Sequence, residues 1–142
     1  MPSITEDRDS ILQLLYTYNH AIDGGDADRW ADTFTADGAL NAAGRLFAGR
    51  DQLMLFASGV HGMRHVVTNP VIEVDGDLAS VEAYVLVFRG ASVSVIGTYA
   101  DELVRTAAGW RFVRRNFTPE TWDRDSTETL RAVDEKNRSG QQ

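Results

Sequence analysis

The chain has 142 residues, 43% of them apolar and 25% charged, which is the size and balance of one globular domain with its own core. A net charge of −7 argues against nucleic acid as a partner, because that role needs a basic stripe to replace counterions. No apolar run approaches the roughly 18 residues of a membrane span, and Met1–Asp7 has no signal-peptide blocks, so no membrane role and a cytoplasmic location are expected. With no cysteine there is no disulfide, thiolate metal site or cysteine nucleophile.

Ile11, Leu14, Leu15, Tyr18 and Ile22 recur at helical spacing and predict a first helix with one buried stripe. Ser3 with Glu6 makes a capping box at its start, and Gly24-Gly25 ends it. Asp26 caps a second helix expected to run through Phe34, with Ala27, Trp30, Ala31 and Phe34 inward. Asp37-Gly38 then turns into a short strand, Ala39–Ala42, and Ala43-Gly44-Arg45 is a hairpin tip into Leu46–Ala48. A third helix covers Arg50–Ser58 with Leu53, Phe56 and Ala57 on its apolar side.

From Met63 the period changes from helical to two. Strands are predicted at 63–74, 79–89, 91–106 and 109–118, broken at Asp75-Gly76, Gly90 and Ala107-Ala108-Gly109. Helices followed by an antiparallel meander give an α+β class, and Gly97 within the longest strand marks a bulge or a close backbone approach. Residues 1–118 form the domain on this reading. Residues 119–142 form a polar tail with one short helix, about Ser126–Lys136, and unstructured last residues.

The chemistry concentrates on few side chains. His65 shares a predicted strand face with Met63, Val67, Asn69 and Val71, which points it inward. It is either a core histidine bonded to a carbonyl or a general base. Asp23 is either a solvated helix end or the carboxylate that orients that base; the helix dipole disfavours an acid there, and it lies on the flank of the apolar stripe. Alternation puts Arg114 on one face of the last strand and Arg111 with Arg115 on the other. Arg115, on the side of Val113 and Phe117, is then paired with an internal carboxylate or placed to meet an anion. His20 and His61 show no metal-ligand spacing, and no glycine-rich phosphate loop or nucleophile elbow occurs, so neither metal nor cofactor is expected.

Four motifs in register resemble the SnoaL-like branch of the NTF2-like (cystatin-like) superfamily. They are Tyr18, Ile22-Asp23, Trp30, Phe34 and Asp37-Gly38; Arg64-His65 with Asn69; Gly97, Tyr99 and Asp101; and Gly109-Trp110 with Arg115-Asn116. The resemblance implies an α+β cone in which N-terminal helices close a curved, mainly antiparallel sheet. It also implies that Asp23 and His65 stand where scytalone dehydratase, bile-acid 7α-dehydratase and lindane dehydrochlorinase carry a catalytic pair. Arg115 matches an arginine that assists leaving-anion departure in the dehydrochlorinase, and Val95 and Tyr99 match pocket positions. Tyr18, Met63 and Asn69 complete the expected substrate-binding set. The chain departs from scytalone dehydratase at Ile96, where that enzyme has a second catalytic histidine, and at Ile22, where it has a tyrosine.

The function expected is a cofactor-independent lyase or isomerase acting on a small, largely apolar molecule. His65 is the base, Asp23 its support and Arg115 the group that meets developing charge. The rivals are a non-catalytic ligand-binding or structural module, as in the β subunits of aromatic-ring dioxygenases, and a polyketide cyclase. Strands 79–89 and 91–106 scarcely alternate in polarity, so the outer sheet face needs cover. A homo-oligomer is therefore expected, and the resemblance points to a trimer or dimer, with the outer sheet face in the contact and the Trp122 tail a candidate addition to it.

Overall fold

The structure, a computed structural model, describes residues 1–141. Helix α1 spans Ile4–Asp23 and α2 Ala27–Ala31; strands β1 (Phe34–Ala42) and β2 (Arg45–Ala48) form a hairpin; α3 spans Arg50–Gly59. Four long strands follow, β3 (Arg64–Asp75), β4 (Leu78–Arg89), β5 (Ser92–Thr106) and β6 (Gly109–Trp122), and α4 (Arg124–Ser139) ends the fold. The six strands make one sheet in the order β2-β1-β6-β5-β4-β3, antiparallel except where β1 runs parallel to β6. This is the α+β arrangement expected.

The Ser3 hydroxyl accepts from the Glu6 N–H at 3.1 Å and starts α1 as predicted, while the left-handed turn after the helix falls on Gly25, φ 72°. The apolar stripe of α1 packs into the sheet, where Ile11 and Leu15 are fully buried with Val85 and Phe112. The second helix is shorter than expected. It stops at Ala31, and Phe34 opens β1 instead, because the Thr33 carbonyl accepts from the Phe112 N–H at 2.9 Å and draws the chain into the sheet. At Gly38 an added Cβ would lie 2.9 Å from the Phe112 carbonyl oxygen, so only glycine lets the two backbones approach so closely.

Of the five register shifts in the sheet, three bear on the site, and such irregularities move side chains between faces. In β3 the pairing shifts between Thr68 and Val71, with Asn69 at φ 53°, so Val71 points outward at 59% exposure and Ile72 turns inward. In β6 the register shifts opposite Glu102 and Leu103, Val113 is extruded, and Phe112 and Arg115 both face the core. Arg114 consequently shares the outer face with Arg111, which corrects the alternation read from sequence. The third shift lies between Ile96 and Gly97, which pairs with Pro119. A proline lacks the N–H of a regular ladder and is accommodated at such a break. Strand β6 therefore continues past residue 118 to Trp122, and α4, capped by Asp123, runs from Arg124 to Ser139; Gln142 lies outside the described residues.

One tie was not visible in the sequence. Asp7, on the first turns of α1, accepts from Arg105 Nη1 at 2.6 Å and Nη2 at 2.9 Å, and from Trp110 Nε1 at 3.2 Å. The bidentate arginine holds the Asp7 carboxyl below the usual carboxylate range despite the opposing effect of burial. It fastens the start of α1 to the β5–β6 hairpin.

Candidate active site

The end of α1 and the start of β3 meet at one wall of the cone. Asp23 Oδ1 lies 2.6 Å from His65 Nδ1, and Asp23 Oδ2 accepts from the His65 backbone N–H at 2.9 Å. Both side chains are 12% exposed. A carboxylate can only accept, so this contact puts a proton on Nδ1 and, in the neutral ring, the lone pair on Nε2. The backbone contact locks the carboxylate to the strand that carries the ring. Among the described residues no group of three histidine, cysteine or acidic side chains is placed to hold a metal ion.

His65 forms part of the wall of a cavity of about 80 Å³ between the helices and the concave sheet face. One water requires roughly 10–15 Å³ on such a measure, so the space admits a ring-sized molecule. Tyr18, Met63, Val95 and Tyr99 line it, together with Ile22 and Leu40. The wall is mostly apolar; the lining residues whose side chains carry a polar atom are Tyr18, His65, Tyr99, Trp122, Ser126 and Thr129. Behind His65, Asp23 borders a separate polar cleft with Tyr16, Asn19, His20 and Arg64.

Asn69 does not join the site. The β3 irregularity turns it to the outer face, where it is exposed beside Glu82, Tyr84 and Thr98. Arg115 does not line the cavity either. Its side chain is fully buried beneath it, with Nε 3.0 Å from Asp101 Oδ1, so the internal-carboxylate alternative is the one realised. The contact is an ion pair rather than a directed hydrogen bond, and the guanidinium nitrogens and both Asp101 oxygens lack hydrogen-bond partners. The guanidinium carbon sits 3.3 Å from the centre of the Tyr99 ring and 4.3 Å from that of Tyr18.

Burial pushes the Asp101 carboxyl up to about 6, with Arg115 offsetting only part of the desolvation. Burial also opposes the Arg115 charge, but Asp101 and the two phenols outweigh it, and the guanidinium stays charged. Tyr18 is raised and Tyr99 raised well above the usual tyrosine range, again by desolvation, so both phenols are protonated donors at neutral pH. They meet edge to face with centroids 6.2 Å apart.

The C-terminal segment supplies walls that sequence reading placed outside the domain. Trp122, Ser126, Thr129 and Leu130 all line the cavity. The signal available was the pair of hydroxyls at helical spacing, Ser126 and Thr129, on the same side of α4 as the inward Leu130 and Val133. Trp122 is thus a cavity residue.

An α+β cone with helices over a curved open sheet and an internal apolar chamber defines the NTF2-like, cystatin-like class of folds. Within it, this chain belongs to the SnoaL-like domain family, whose model matches residues 3–116. The uncharacterized protein Rv2910c of Mycobacterium tuberculosis is 34% identical over 129 residues, covering 81% of this chain and 88% of the relative. A structure of a single-substitution variant of Rv3472, a Mycobacterium tuberculosis protein of unknown function, superposes with a TM-score of 0.83 at 25% identity, covering 93% of this chain and 89% of that one. An NTF2-like protein with a cystatin-like fold from Novosphingobium aromaticivorans gives a TM-score of 0.78 at 26% identity, covering 89% and 90% of the two chains. No helix of the described residues is long and apolar enough to cross a membrane.

Proposed function

We propose that the chain is a cofactor-independent lyase or isomerase whose base is His65. The observation that carries this reading is the 2.6 Å contact between Asp23 and His65 in the wall of an otherwise apolar cavity. A core histidine satisfied by a carbonyl would have neither the carboxylate nor the chamber.

In the proposed reaction Nε2 of His65 takes a proton from a carbon next to a carbonyl or similar activating group. The C–H pair moves into a new C=C bond, and charge develops on the activating oxygen. Asp23 stabilises the imidazolium across the Nδ1 contact. The Tyr18 and Tyr99 phenols donate hydrogen bonds to the developing oxyanion, a service worth far more in a dry cavity than in water. Arg115 acts through those rings from below rather than by touching the substrate, which revises the direct role expected for it. The proton on His65 then passes to the departing group, giving elimination, or to another carbon, giving isomerisation. General-base help of this kind accelerates a reaction by about 10²–10⁴.

The test uses proton exchange, which precedes either outcome. Small cyclic ketones are incubated with the protein in deuterium oxide, and loss of the α-proton signal is followed by NMR. Exchange that requires His65 and disappears in His65→Ala, with circular dichroism unchanged, is the expected result. Exchange at the same rate in His65→Ala places the base elsewhere and defeats the proposal.

A further inference from the structure

Beneath the cavity lies a cation that cannot titrate beside an acid that can. Arg115 reaches in from β6 and Asp101 from β5, both side chains fully buried, with Arg115 Nε 3.0 Å from Asp101 Oδ1. An arginine keeps its charge inside a protein, so the net charge of this floor is set by whether Asp101 holds a proton. The titratable groups facing the pair are Tyr18 from α1 and Tyr99 from β5 itself. Strand β4 presents only Val81 and Ala83 at this level, while Glu82 and Glu102 stand exposed on the outer face. No aspartate, glutamate, lysine or arginine lines the cavity wall, where His65 is the one titratable group besides the phenols.

The groups gathered around the phenols are donors. The Tyr18 hydroxyl has Tyr99, Trp30 and Arg115 as polar neighbours, and Trp30 Nε1 and the three guanidinium nitrogens are buried without hydrogen-bond partners. The guanidinium carbon lies 4.3 Å and 3.3 Å from the ring centres of Tyr18 and Tyr99, and both tyrosines line the cavity. An oxyanion beside the phenols therefore meets O–H donors and, one ring away, a positive charge whose field no water screens. The same oxyanion repels an ionised Asp101. With Asp101 ionised, the guanidinium is already compensated; with Asp101 protonated, the floor carries one positive charge for one incoming negative charge. Burial, which raises the Asp101 carboxyl to about 6, brings that exchange close to neutral pH.

We propose that the cavity takes its ligand as an oxyanion, the phenolate or enolate of a ring-sized molecule, and that Asp101 gains a proton as the anion binds. Asp101 is then a positioning residue. It never touches the ligand, and its protonation frees the Arg115 charge to act through the tyrosine rings. A ligand already ionised in solution enters with one proton from solvent, which forms the O–H of Asp101. A neutral phenol enters by giving up its own O–H proton, so none is exchanged with solvent overall. No fixed proton route is needed, because buried groups reach equilibrium with solvent through local opening. The inference rests on the cavity being the substrate site proposed above, but it is read by binding alone and does not need turnover.

The probe is 2,6-difluoro-4-nitrophenol, which is ionised in neutral solution and whose coloured phenolate band reports its charge when bound. Spectrophotometric titration gives the dissociation constant across neutral pH for the wild type, Asp101→Asn, His65→Ala and the neutral pair Asp101→Asn with Arg115→Met. In the wild type the bound probe should keep its phenolate band, and the dissociation constant should rise by up to about tenfold per pH unit above 6. Asp101→Asn should abolish that slope and bind more tightly at the alkaline end, and the neutral pair should bind the phenolate about tenfold more weakly or worse. Should Asp101→Asn fail to fold, calorimetry of the wild type in buffers of different ionisation heat still counts the proton taken up. A neutral bound spectrum, a flat wild-type profile, zero proton uptake, a slope that survives in Asp101→Asn, or no binding overturns the inference. So does a slope lost in His65→Ala, which would assign the proton to His65. A slope retained in His65→Ala, in a chain with no His65-dependent exchange, sinks the catalytic reading and leaves this one standing.

Discussion

Asp23 holds His65 at two points, the ring nitrogen Nδ1 at 2.6 Å and the backbone N–H at 2.9 Å. The same carboxylate therefore orients the base and pins β3 to the end of α1. Asp23→Asn keeps the shape but offers an amide that can also donate, so the imidazole loses its enforced tautomer. Exchange activity is expected to fall by about 10²-fold or more, with the fold retained. Asp23→Ala removes both contacts and should also cost about 1–3 kcal/mol of stability, read from urea unfolding. An Asp23→Asn protein with wild-type exchange would show that the tautomer is set in some other way.

The buried Arg115–Asp101 pair makes stability depend on pH in a definite sense. The Asp101 carboxyl is raised to about 6 from an ordinary 3.8, so the folded chain holds this proton more tightly than the unfolded chain. Its contribution should thus be largest below the unfolded value and decline as pH rises toward 6, then level off. Arg115→Met takes away the attraction that favours the carboxylate. It should cost about 3–5 kcal/mol at pH 8, where an unpaired anion is left buried, and clearly less at pH 5, where the carboxyl is protonated. Urea midpoints across that range, compared between the two proteins, decide it; an equal loss at both pH values would refute the account.

Gly97 is required by space. A Cβ there would lie 2.6 Å from the Thr118 carbonyl oxygen and 2.8 Å from the Phe117 ring. Gly97→Ala should destabilise by about 1–3 kcal/mol and disturb the cavity, since Phe117 is one of its walls. Thermal unfolding checks the first point. A variant as stable as wild type would mean that β6 can shift away freely.

The outer sheet face carries Val66, Tyr84 and Ile96 at 42%, 54% and 41% exposure, and α1 to α3 cover only the opposite side. A dimer or trimer burying this face is the expected state in solution. Sedimentation equilibrium should give a multiple of 15.7 kDa for the wild type and a shift toward 15.7 kDa for Tyr84→Lys with Ile96→Lys. A wild-type monomer at micromolar concentration would remove the oligomer from consideration.

Periodicity and capping chemistry in the chain itself determined the order of the elements. A stripe at Ile11, Leu15, Tyr18 and Ile22 can be buried only as a helix, and the period-two segments from Arg64 onward only as strands. The placements of Tyr18, Asp23, Met63 and His65 were legible because a helix and a regular strand start point side chains predictably, whereas Val95 and Tyr99 were assigned to the pocket only by the family resemblance. Bulges were not legible. One extra residue at Asn69 or Val113 leaves no mark on composition, yet it moved Asn69 out of the site and brought Arg115 under the tyrosines. Pairing across strands was equally silent: Asp101 meets Arg115 only because β5 and β6 adopt that register, and Asp7 meets Arg105 across 98 positions of chain. The tertiary structure alone also decided that Trp122 and Ser126 close the cavity, because which wall a polar helix completes depends on where the preceding strand ends.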